Sequence, residues 1–266
     1  MILFKREFNR NLKALIIWTA IMAGLMLMML SIYPQFAKQQ ETIDQMMKAF
    51  PEAMVKAFNM DKLSMKDVLG FYAIECYLML TLFGSIYAAM LGAGILSKEE
   101  NEKTIEFLLS KPISRSSILT QKLLLVTANL VIFNGLIAIV NLIGFSFTKD
   151  NNLDMTAFAL LTAGPLLMHI VFAVIGFMIS CLVRKSRNIL TISLGLVFGT
   201  YFFSIMASMS EKFEFLKYLS PFKYVDSADL IINKSIKPLY LAIMLGVIII
   251  STAASFFIYN RKDIAV

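Results

Sequence analysis

Six stretches of this chain, about 14–34, 68–96, 117–147, 155–183, 189–208 and 238–260, are long and apolar enough to cross a lipid bilayer as helices. A hydrocarbon core about 30 Å thick needs roughly 20 apolar residues in a helix. In lipid, backbone N–H and C=O groups must be paired within the protein, which a helix does locally. Composition agrees with the pattern: of 266 residues, 58% are hydrophobic and 16% charged, where a soluble domain is about half apolar and a quarter charged. The expected fold is an all-α membrane protein, a single domain over 1–266 with six transmembrane helices. Several spans exceed 20 residues, so tilt or helical extension beyond the lipid is expected. Pro165, after Gly164, predicts a kink in the fourth. There is no internal repeat and no low-complexity segment.

The first span follows MILFKREFNRNLK and could be read as a signal peptide. Its apolar run is long for that, and no clear A-x-A site follows, so an uncleaved helix is expected. Six spans put both ends of the chain on one side, and the charges select the side. The flanks 1–13, 97–122, 184–188 and 261–266 carry 14 Lys and Arg in about 50 residues. The opposite loops, 35–67, 148–154 and 209–237, carry 11 in about 69, balanced by 11 acidic residues. All the arginines (Arg6, Arg10, Arg115, Arg184, Arg187, Arg261) lie in the first set. The positive-inside rule therefore places the termini and 97–122 in the cytoplasm.

The same topology accounts for the net charge of +7 without a nucleic-acid partner. Cys76 and Cys181 lie inside apolar runs without CxxC spacing, which fits neither a disulfide framework nor a zinc site. Some polar groups fall within the spans. Glu75, about two turns below the outer end of the second span, is a candidate for substrate contact or proton handling, or a structural acid that caps loop donors. His169, the single histidine, cannot build a metal site and reads as a hydrogen-bonded core residue. Asn129, Asn134 and Asn141 line the third span, the last two a heptad apart. They suit interhelical hydrogen bonds, with Asn134 and Asn141 as candidates for a substrate pathway. Gly195 and Gly199 form a GxxxG in the fifth span, which allows close helix approach and a dimer contact. The sequence contains no GxxxxGK[ST], no HExxH and no GxSxG, so no phosphate loop, zinc-protease motif or nucleophile elbow is present.

Outside the spans, Phe4, Phe8, Leu12 and Leu15 fall at helical spacing opposite Lys5, Arg6, Asn9 and Arg10, an amphipathic helix suited to the inner interface. The loop 35–67 reads as two short amphipathic helices broken at Pro51. Its methionines either pack on the span ends or form an adaptable binding face. The loop 209–237 is dense in aromatics, so it lies on the membrane or dips into it. Phe213, Tyr218, Pro221, Phe222 and Tyr224 are its candidates for an outer gate.

The segment SKEENEKTIEFLLSKPISRSSIL (97–119) is charged between two greasy runs. Ile105, Leu108 and Leu109 share one helical face, while Glu99, Glu102 and Glu106 sit largely off it, acids that suit a helix N-terminus. Pro112 stops this helix, and Ser114 can cap the next. Such an element either lies on the lipid or receives force from a soluble partner.

At this point the chain resembles the ABC-2 type transporter permeases. EENEKTIEFLLSKPISRSSILTQKLL is similar to that family's signature between the second and third spans: acids, then T-[IL]-E-[FL]-L-L-[SA]-x-P-[IV]-[ST]-R, then a lysine entering the next span. FKREFNRNLKALIIW (4–18), FPEAMVKAFNMD (50–61), YLSPFKY (218–224) and YNRKDI (259–264) extend the resemblance over the whole chain, while Lys103 stands where many members have glycine. The resemblance implies an N-terminal interfacial helix, a cytoplasmic coupling helix at 97–116 and re-entrant outer helices between the fifth and sixth spans. It implies two permease chains, the same or related, paired through the first and fifth spans, which bears on Gly195 and Gly199. Two separate cytoplasmic ABC ATPase subunits would bind ATP and magnesium, leaving this chain without a cofactor of its own. By position, Thr104, Ile105, Glu106, Phe107, Leu108 and Leu109 would dock on the ATPase, with Glu99 and Glu102 before them and Lys111, Pro112 and Arg115 at the edge.

The function expected is the permease of an ATP-driven exporter in a bacterial cytoplasmic membrane, moving antimicrobial or amphipathic peptides. Efflux of an antibiotic, lipid or ion is the alternative within that class. A membrane-embedded enzyme using Glu75 or His169, and a sensor that binds without transport, are the readings outside it.

Overall fold

A computed structural model of the chain describes residues 2–39, 49–101, 113–148, 153–182 and 188–262. The described residues are helical, with no strand among them. Six helices are long and apolar enough to cross a membrane. They are α1 (Ile2–Lys38), α3, α4 (Arg115–Ser146), α5 (Met155–Leu182), α6 (Ile189–Met209) and α9 (Pro238–Arg261). Helix α3 is a composite rod: Val68–Phe71, a π-helical turn Tyr72–Cys76, then Tyr77–Asn101. Three short helices, α2 (Glu52–Ala57), α7 (Pro221–Tyr224) and α8 (Ser227–Ile232), follow α1 and α6 at the face opposite the chain ends. We call this the far face and the other the terminal face.

The core is the pair α3 and α5. In their most apolar windows 67% and 61% of residues are buried, against 22% in α1, 11% in α6 and 17% in α9. Small residues explain the closeness. A side chain at Gly92 would run into the carbonyl of Ala173, and one at Gly176 would meet the Ala89 oxygen at 2.6 Å. Neither obstacle is a side chain that can swing away, so the two backbones touch, as small residues permit in lipid. Helix α4 supports this pair and buries a stripe against α1, where Met22, Met26 and Leu30 fall at helical spacing. Pro165 stands inside α5, which continues on both sides of it.

Helix α1 is one continuous helix of 37 residues, about 55 Å long. The expected N-terminal interfacial helix is thus its first turns and not a separate element, because no glycine precedes Gly24 and no proline precedes Pro34. Phe4 and Phe8 stack on each other there, ring centres 6.2 Å apart. Glu7, in the same turns, is buried.

The segment after α6 enters the protein. Val225 and Leu230 contact Gly164, Ser220 Oγ donates to the Thr200 carbonyl at 2.7 Å, and Tyr77 Oη donates to the Val225 carbonyl at 2.7 Å. Gly164, Thr200 and Tyr77 each lie nine residues inside their helices, counted from Met155, Met209 and Val68, about 13 Å below the far ends. Non-helical backbone at such depth is tolerated where protein covers and bonds it. Helices α7 and α8 thus pack inward between the ends of the spans.

Candidate functional site

Three regions gather the residues that the sequence singles out. The first is the terminal face, where α3 ends and α4 begins. Residues 102–112 lie outside the described residues, and with them Glu102, Thr104, Ile105, Glu106, Phe107, Leu108, Leu109, Lys111 and Pro112. Glu99 falls on the last turns of α3, and its side chain lies outside them too. The two anchors of this segment are described. Ser114 caps α4 as its type and position predict, accepting from the Ser117 N–H at 3.2 Å. Lys122, fully buried about two turns into α4, donates to the Ile95 carbonyl of α3 at 2.8 Å. Ser180 of α5 accepts from the Ser97 N–H at 3.1 Å. Both ends of the segment are thereby fastened to the α3–α5 core.

Arg115 bonds to the end of the last span. Its guanidinium donates to the carbonyls of Lys262, Tyr259 and Asn260 at 2.8, 3.3 and 3.4 Å, and the Asn260 amide reaches Ser116 Oγ at 3.3 Å. These carbonyls gather at the end of α9, where a cation faces the negative end of the helix dipole, and the Tyr259 carbonyl also accepts from the Lys262 N–H at 3.4 Å. Arg115 latches the last span to the start of α4.

The second region is the far face, where a cavity of about 440 Å³ opens among Lys56, Lys62, Glu214, Lys217, Asp229 and Lys237. Its keystone is Asp226, which caps α8 through the Ala228 N–H and accepts from Asn59 at 2.9 Å and Lys223 at 2.9 Å. Asn59 holds the left-handed φ of 58° that asparagine tolerates. Burial pushes the Asp226 carboxyl up, but Lys223, Asn59 and Lys62 together outweigh it and hold the group below its ordinary value. Among the expected gate residues, Pro221, Phe222 and Tyr224 are buried, with Phe222 between Phe172 (5.6 Å) and Tyr201 (5.3 Å) and Tyr224 on Tyr240 (5.1 Å). Phe213 and Tyr218 are exposed on the 3₁₀-helical turn Glu211–Leu219. The five do not converge on one point.

The third region is the interior of the spans. Asn141 donates to Tyr72 Oη at 2.7 Å, an interhelical bond. Asn134 and Asn129 instead bond the carbonyls of Leu130 and Leu125 on their own helix, so Asn134 and Asn141 share a face without sharing a role. His169 is buried against Gly84, with Phe133 beside it. Its ring nitrogens face the Leu80 and Thr81 backbone. Glu75 sits in the π-helical turn, half-buried beneath α2, well apart from Asn141 and His169 in its contacts. Gly195 and Gly199 have open space where a Cβ would stand. With Phe198, Phe202, Met206 and Met209 they form one exposed stripe at helical spacing. No group of three His, Cys, Asp or Glu among the described residues could hold a metal ion.

Six spans, a segment anchored between the second and third, and a pair of inward-packed short helices before the last make a coherent set, and a family model described as ABC-2 family transporter protein matches residues 1–264. The chain belongs to the ABC-2 transporter family. It is a multi-pass ABC transporter permease, a membrane transport component. Comparison with curated proteins gives no match. Lys122, the lysine that enters the third span in the family's signature, and the α9 end in YNRKDI are thus placed by their contacts, whereas Ser180 is a neighbour that the sequence did not single out.

Proposed function

We propose that this permease is the membrane half of an ATP-driven exporter in a bacterial cytoplasmic membrane, with both termini cytoplasmic. Two chains pair through the stripe of α6 around Gly195 and Gly199 and through α1. Two separate ABC ATPase subunits bind ATP and magnesium and push on 97–116, through Glu106, Leu108 and their neighbours. The cargo is an antimicrobial or amphipathic peptide. The observation that carries the reading is the double anchoring of that segment. Lys122 and Ser180 tie its flanks to α3 and α5, whose close-packed backbones move together. A push at the terminal face therefore reaches the far face through one rigid pair instead of dissipating in a loop.

Co-expression with a P-loop ATPase partner and co-purification test the assembly. In the reconstituted complex, Glu106→Ala and Leu108→Asp should each lower cargo-stimulated ATP hydrolysis at least about tenfold, or about 1.4 kcal/mol of coupling, while the complex still elutes intact. Normal hydrolysis and transport in both variants would remove the coupling role. Stimulation by an antibiotic, a lipid or an ion but by no peptide would move the cargo to that class. Full function with a hydrolysis-dead ATPase would favour a sensor.

A further inference from the structure

The far face holds a second, smaller cavity that differs in chemistry from the charged one. It has a volume of about 230 Å³, and its walls are Phe50, Met54, Phe58 and Met60 from the loop around α2, with Ile74 and Leu78 from α3. Among the described residues, Glu75 is the only charged one that lines it. Glu75 makes no hydrogen bond or ion pair with a described residue. The nearest basic residue on α2, Lys56, is engaged by Glu52 on its own helix. Helix α2 buries none of its residues, and Phe50 and Met54 remain 43% and 45% exposed. Phe50 and Met54 thus keep apolar surface free, while Met60 and Ile74 pack in the core cluster that floors the cavity.

Three arguments select the occupant. A carboxylate among apolar walls is costly unless paired, so a neutral ligand would bury it unsatisfied and an anion would be repelled. A single positive charge with apolar flanks satisfies both the acid and the walls. Aromatic faces and methionine sulfur favour the same guest, through cation–π attraction and adaptable contact. The volume lies below the roughly 300–1,000 Å³ of drug-sized pockets, so one headgroup fits and a whole amphiphile does not. The π-helical turn adds an independent sign, because such turns insert one residue into a helix and recur at functional sites.

We infer that this cavity binds a lipophilic monocation, with Glu75 as its counter-ion and the Met54–Phe58–Met60 walls as its apolar clamp. As a statement about binding this stands alone; as a statement about cargo, the cationic group of an amphipathic peptide, it rests on the exporter reading above.

The test uses the full chain in nanodiscs of phosphatidylcholine, a zwitterionic lipid that does not itself concentrate cations. The probe is benzyltrimethylammonium, and its uncharged isostere neopentylbenzene is the control. Saturable binding of the cation is expected, with neopentylbenzene at least about tenfold weaker. Glu75→Gln should lose at least about tenfold in affinity, Glu75→Asp should retain part of it, and Phe58→Ala should lose several-fold. Asp67→Asn, at an exposed acid of the far face that does not line the cavity, should bind as the unaltered chain does. Equal affinity in Glu75→Gln, or equal binding of the neutral isostere, would overturn the inference. Retained thermal stability in Glu75→Gln would confirm that lost binding is not lost folding. In the complex with the ATPase, Glu75-dependent binding that leaves hydrolysis and transport unchanged would keep the cavity and remove its link to cargo. Cargo-driven hydrolysis with no probe binding would do the reverse.

Discussion

Arg115 and Asp226 illustrate how single side chains hold distant parts of the chain together. Arg115 spans 144 to 147 residues of sequence to reach the end of α9. Its replacement by alanine should lower thermal stability by about 1–2 kcal/mol and expose the C-terminal turn to protease. Arg115→Lys should recover only part of this, since one ammonium cannot present the planar fork that meets three carbonyls. Asp226 predicts a pH response whose sign follows from its depressed pKa. A group whose folded pKa is below the unfolded one contributes stability above the unfolded value and loses it as pH falls through the folded one. The clasp between Asn59 and α8 should therefore be unchanged from neutrality down to about pH 5 and loosen below about pH 4. Amide hydrogen exchange at 59–63 and 227–232, compared at these pH values, reads it directly. Asp226→Asn should abolish the acid dependence.

The seam between α3 and α5 makes a prediction that belongs to whole helices. Gly176→Val would push a side chain into the Ala89 carbonyl and Ala93 backbone. That overpacking should cost about 1–3 kcal/mol or more and appear as a lower melting temperature of the purified protein. Gly195→Val meets open space in the single chain and should melt within about 0.5 kcal/mol of the parent. If the stripe on α6 is the seam between two chains, this variant should instead reduce self-association in detergent. At this scale the sequence was a good guide where the cause is local. Six apolar runs give six long helices, and Ser114 starts α4 as a capping residue should. The π-helical turn was not legible, because one extra residue leaves a hydrophobic run looking the same. Nor were the Arg115 latch and the Asn141–Tyr72 bond, which join residues that no spacing rule connects. The GxxxG and the α3–α5 glycines look alike as letters; only packing separates the buried set from the exposed one.

Sidedness is a property of the molecule as a whole, and it can be measured because Cys76 and Cys181 are both buried. With this low background, Ser235→Cys, exposed on the far face, should react in intact cells with a membrane-impermeant maleimide. Asn9→Cys, exposed on α1, should react only after the membrane is opened. The opposite pattern would invert the topology that the arginines imply.

The π-helical turn carries one more implication, in the language of insertions and deletions. An α-helix in a packed bundle cannot lose a residue without turning everything beyond the gap by about 100°. Helix α3 holds a spare residue between Tyr72 and Cys76, so a deletion there, of Ala73 for instance, is absorbed by reversion to ordinary α geometry. The flanking faces keep their register, and only the heading of Glu75 is reset. Among the residues of α3, this is where the reading frame of the bundle is forgiving.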